Sequence, residues 1–99
     1  MLHIVNKSPF QTRSFESCLR MAQPGSAVLL IEDGIYAATA GSSMEARVCQ
    51  ASASVRFYAL QGDMEARGVT GKLLDGVTLI DYGGFVDLAI EYPTSHSWL

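Results

Sequence analysis

The chain has 99 residues, 48% of them hydrophobic and 17% charged, with a formal net charge of −3. Disorder is excluded, because disordered chains are poor in apolar residues and rich in charge. A membrane-spanning helix is excluded as well, since no apolar run approaches the ~20 residues a bilayer requires. The length suits one domain and is too short for two.

Leu2–Val5 is short, apolar and partly β-branched, as expected of a buried first strand. It runs directly into Asn6 and Lys7 with no long apolar stretch, so no signal peptide is expected and the expected compartment is the cytoplasm. Ser14 opens a helix whose inner stripe is Phe15, Leu19 and Ala22, with Cys18 close to that stripe, and Gln23-Pro24-Gly25 ends it. Ala27–Ile31 is continuously apolar, the pattern of a central parallel strand covered on both faces. Glu32-Asp33-Gly34 stands at its carboxyl end, and Ile35–Ala40 is alanine-rich and compatible with helix.

After Gly41, Ser42 or Ser43 can cap a second short helix that runs to about Gln50. Val55–Leu60 reads as the third strand and Gly62–Arg67 as a turn or two of helix. Val69–Gly76 is a connection, and Val77–Ile80 the fourth strand, ending at Asp81-Tyr82. Phe85–Glu91 forms the last helix, Pro93 stops it, and Thr94–Leu99 remains as a tail. Strands alternating with helical segments predict a small α/β domain with a parallel sheet of four to five strands and helices on both faces.

Several residues carry chemistry, each with a plainer reading beside it. Asp33 and Asp81 stand at strand ends, where open α/β sheets place ligands. Two acids there can act as acid and base or hold a metal, and turn formation and helix capping account for them equally well. Thr70-Gly71-Lys72 lacks the earlier glycine of a phosphate loop, and no GxGxxG is present, so no nucleotide cofactor is expected. The spacing of Cys18, Cys49, His3 and His96 builds no zinc site. His3, among apolar neighbours, reads as a hydrogen-bonded core or interface histidine. The seven cations are scattered singly, which disfavours direct nucleic-acid binding. Trp98 and Leu99 either pack back on their own domain or dock on another subunit.

A disulfide is not expected in the cytoplasm, so both cysteines are read as free and partly buried. Cys18 has two readings. It is a packed side chain of the first helix, or it is a sulfur carrier whose thiolate Arg13 or Arg20 would favour if close in space. Cys49, between Val48 and Ala51, reads as the more ordinary of the two.

Taken together, Leu2–Phe10, Leu29–Ala38, Ala66-Arg67-Gly68, Asp81–Leu88 and Trp98 resemble the DsrH/TusB family of sulfur-relay proteins, from end to end and without large gaps. The resemblance implies residues 1–99 as one DsrEFH-like domain without a cofactor. It implies a non-catalytic or auxiliary subunit of a heterohexameric sulfurtransferase complex. The partners would be paralogous DsrE/TusD-type and DsrF/TusC-type subunits, and the complex would exchange persulfide sulfur with a TusA-type donor and a DsrC/TusE-type acceptor. The sulfur would serve either cytoplasmic sulfur oxidation or 2-thiolation of the wobble uridine of transfer RNA. The principal cysteine of such a complex lies in the DsrE/TusD-type subunit. Glu16-Ser17-Cys18-Leu19 resembles the context of a first-helix cysteine typical of the DsrH branch, which makes Cys18 the candidate auxiliary carrier and, together with Asn6-Lys7-Ser8-Pro9-Phe10, tilts the expectation towards sulfur oxidation. The alternative is a stand-alone ligand-binding or enzymatic domain built on Asp33 and Asp81.

Overall fold

The structure is a computed structural model and describes residues 1–98; the part of the terminal reading that concerns Leu99 lies outside the described residues. Five strands make up the sheet: β1 (Leu2–Val5), β2 (Ala27–Leu30), β3 (Arg56–Leu60), β4 (Val77–Ile80) and β5 (Ser95–Trp98). Four α-helices join them: α1 (Ser14–Met21), α2 (Glu45–Ala51), α3 (Gln61–Ala66) and α4 (Tyr82–Glu91). The strands lie in the order β4-β3-β2-β1-β5, every pair parallel.

This order dictates where the helices go. From β1 to β4 the chain steps across the sheet one strand at a time, always in the same direction. Right-handed crossovers then set α1, α2 and α3 on one face. From β4 the chain returns past β3, β2 and β1 to reach β5, so the direction reverses and α4 falls on the opposite face. The packing agrees. Val5, Val28, Leu30, Phe57, Ala59 and Val77 point to the α1–α3 side, against Phe15, Cys18, Val48 and Met64. The alternate residues Leu2, Ala27 and Leu29 point to the α4 side, against Leu88, Phe85 and Tyr92.

The two layers are unequal. The α1–α3 side holds most of the fully buried side chains. On the other side a single helix lies against five strands, and Ile4, Ile31, Tyr58 and Ile80 stay half-buried. β2, in the middle, is buried along its whole length, as its apolar run implies.

Three elements differ from the sequence reading. The segment after β2 is a 3-10 helix, Glu32–Ala38, which begins three residues before the helix-compatible stretch read at Ile35–Ala40. An antiparallel bridge between Thr39 and Leu73 holds its end, with Leu74 N–H donating to the Ala38 carbonyl at 2.8 Å. The last helix starts at Tyr82, ahead of the Phe85 expected from sequence, and so contains Gly83 and Gly84. Asp81 is the cause, because its Oδ1 accepts the Gly84 N–H at 2.8 Å and so caps the helix three residues earlier. Finally, the tail is strand β5, in register with β1 from Leu2↔Ser95 to Val5↔Trp98. Ser-His-Ser-Trp has little strand signature of its own, and β1 supplies the hydrogen-bonding edge that organises it.

Candidate functional site

Cys18 is on α1, on the face the helix turns to the sheet, and it is fully buried with Val5, Phe15 and Val28 in the main core. Burial disfavours the thiolate and pushes the thiol up to about 12. Arg13 and Arg20 are exposed, and burial, not a neighbouring charge, sets the character of Cys18. In this conformation Cys18 is a neutral packed thiol. Cys49, read from sequence as partly buried, is exposed on α2. The short α2 turns Val48 inward, and the next residue, about 100° further round the helix, faces out.

At the carboxyl ends of β1, β2 and β3 the turns converge. Asp33 is joined there by two residues the sequence reading assigned no role, Asp63 and Arg67. The Arg67 guanidinium bonds Asp33 Oδ1 through Nε at 3.0 Å and Nη2 at 2.9 Å, and lies 3.7 Å from Asp63 Oδ1 through Nη1. Asp63 Oδ2 also accepts the Glu32 backbone N–H at 2.8 Å, and Asn6 Nδ2 donates to Glu32 Oε2 at 3.4 Å. Glu32 takes a positive φ of 50°, where an L residue is strained. Two residues on, Gly34 comes hard against β1: a Cβ there would collide with the Val5 carbonyl oxygen. The signal for Arg67 was its place in Ala66-Arg67-Gly68, a stretch the family resemblance had already picked out.

Asp81 is not part of that cluster. It is bound to its own helix as a cap, and no hydrogen bond or ion pair links it to Asp33 among the described residues. The two acids of the alternative reading each have a structural partner, and the structure does not bring them together.

His3 is buried on β1, as the sequence reading expected, and its partner is the tail. Trp98 Nε1–H donates to His3 Nδ1 at 3.1 Å, and Trp98 packs on the main core. His96 packs at a tilt against the same indole, with ring centroids 4.6 Å apart and the planes inclined at 58°. Burial, the amino-terminal ammonium and His96 all push the His3 imidazole below its ordinary value, so it is neutral near pH 7. Of the two fates considered for Trp98, the chain itself supplies the first, packing back on its own sheet.

Known proteins place this arrangement in context. The fold matches that of the ychN protein of E. coli with a TM-score of 0.77 at 17% identity, over 97% of both chains. It also matches a protein of unknown function from Methanobacterium thermoautotrophicum with a TM-score of 0.74 at 22% identity, over 97% of this chain and 95% of the other. In sequence the chain is 38% identical to Protein TusB of Pectobacterium parmentieri over 98 residues, 99% of this chain and 100% of the relative. It is 37% identical over the same span to Protein TusB of Escherichia coli K12, again with 99% and 100% covered. The model of the family described as DsrH like protein matches residues 7–95, nearly the whole length. With that match and full-length relatives above 35% identity, the chain belongs to the DsrH/TusB family.

Proposed function

We propose that the chain is a structural subunit of a sulfur-relay complex of the TusBCD/DsrEFH type, assembled with paralogous DsrE/TusD-type and DsrF/TusC-type subunits as a heterohexamer. The observation that carries the reading is its full-length likeness to proteins named TusB. The uneven sheet supports it. Parallel sheets are ordinarily covered on both faces, and here one face has a single helix. That helix is apolar outward as well as inward: Tyr82 and Ile90 are 69% and 74% exposed, and Val86 lies between them at helical spacing. A shallow groove of ≈ 280 Å³ follows these residues with Phe85 and Ala89. A second subunit seated on α4 would complete the missing layer.

In this reading the complex takes persulfide sulfur from a TusA-type donor and passes it to a DsrC/TusE-type acceptor, and the working thiolate belongs to the DsrE/TusD-type partner. Cys18 enters as an auxiliary carrier under one condition, that α1 lifts from the sheet, since attack on a persulfide needs an accessible thiolate. The test of assembly is co-expression with both paralogues followed by sizing. Co-elution in one complex is expected, and a chain that elutes apart from them would defeat the reading. For Cys18, the Cys49→Ser protein in the assembled complex is incubated with a persulfide donor and its intact mass is measured. An added sulfur is the expected result for a carrier, and an unchanged mass with Cys18 still free reduces it to packing.

Two branches remain, each with its own observation. The relatives named TusB favour wobble-uridine thiolation, while Glu16-Ser17-Cys18-Leu19 favours sulfur oxidation. Loss of 2-thiouridine from transfer RNA on deleting the gene is the result expected of the first, and unchanged 2-thiouridine would assign the second.

A further inference from the structure

A cavity lies away from both the carboxyl-edge cluster and α4. It is a corner of ≈ 510 Å³ where the last turn of α1 and the loop into β2 face His96 and Trp98 of β5. β5 is the edge strand of the sheet, and the end of α1 reaches over it as well as over β1, so the two form opposite walls of the corner. We propose that this corner binds a small molecule with a flat aromatic ring and a carbonyl or carboxylate acceptor.

The volume falls in the range of small-molecule pockets, which are mostly apolar with a few placed polar groups. The walls suit a ring. Trp98 and His96 offer aromatic surfaces, and Met1 and Met21 offer flexible, polarisable thioethers, which pack well on aromatic faces. One polar group has a set direction. Because Trp98 Nε1–H occupies His3 Nδ1, a neutral His3 carries its proton on Nε2 and can only donate there. Trp98 therefore fixes the tautomer and supplies an aromatic wall as well. Among the described residues no Asp or Glu side chain lines the corner.

Trp98 is the chain's one tryptophan, so its indole N–H gives a single resonance in a ¹H–¹⁵N spectrum of the full chain. The probes are indole-3-acetate and tryptamine, which share a ring but carry a carboxylate and an ammonium respectively. Indole-3-acetate is expected to move the Trp98 resonance and the Met1 and Met21 methyl resonances saturably, and to bind about tenfold more tightly than tryptamine. Met21 is exposed at the end of α1, so Met21→Glu is expected to leave the sheet amide resonances in place and weaken indole-3-acetate by about tenfold or more. Absence of a saturable shift at millimolar probe, equal binding of the two probes, or binding untouched by Met21→Glu would each overturn the proposal. So would a Trp98 resonance that responds only to the paralogous subunits, which would make the corner a subunit contact.

Discussion

The two cysteines show how one residue type takes opposite characters from its surroundings. Cys18 is sealed under α1 and its thiol is held neutral, whereas Cys49 faces water. Iodoacetamide at pH 8 is expected to add one group to the native protein, at Cys49, and a second only in denaturant; rapid double labelling would show that α1 opens readily. Linkage gives a second consequence. The Cys18 thiol ionises near 9 in the unfolded chain and near 12 when folded, so above pH 9 the unfolded state holds fewer protons. Stability to urea is expected to be flat with respect to this group below pH 9 and to fall as pH rises towards 12. His3 works in the other direction. Its folded value is lowered, so below pH 6.5 the unfolded chain takes up the proton first and stability falls with acid. A proton on Nδ1 also removes the acceptor that holds Trp98. The emission of Trp98 is expected to move to longer wavelength as pH drops below 6.5, and His3→Gln should remove that titration.

At the scale of elements, short helices depend on their ends and tight turns on their small residues. Asp81→Ala removes the cap of α4 and is expected to cost about 1 kcal/mol in urea unfolding. Gly34→Ala is harsher, because the new methyl meets the Val5 backbone, which cannot rotate away. A loss of about 3 kcal/mol, at the upper end of overpacking costs, is expected in the same measurement. The same two positions explain where the sequence was legible. Asp81 was weighed as a cap from its type and place alone, and the structure gives it that role. The 3-10 segment was not foreseen, because nothing local to Glu32–Ala38 reports that Gly34 must fit against a carbonyl of β1. The partner of Asp33 was equally hidden: Arg67 lies 34 residues on, and only the parallel pairing of β2 with β3 delivers it.

The whole molecule presents two faces of different finish. Three helices cover one side of the sheet and one covers the other, and that one carries exposed Tyr82, Val86 and Ile90. The double variant Val86→Glu, Ile90→Glu should keep the isolated chain folded, since both side chains are substantially exposed, and should abolish co-elution with the paralogues. Retained assembly would move the subunit contact to another face. The low charge content is understandable on this basis, because a chain that buries part of its surface against partners needs fewer charges than one that meets water everywhere.

By itself the sequence determined the α/β alternation, four of the strands and the family, because these are encoded in local apolar periodicity and in motifs that keep their order along the chain. Only the tertiary structure decided the rest. It made Ser95–Trp98 a strand, sealed Cys18, joined Asp33 to Arg67 and set His3 against Trp98. Each of these depends on segments distant in sequence meeting across the sheet. A strand with weak propensity forms when a neighbour's edge is waiting for it, and a thiol becomes inert when a helix closes over it.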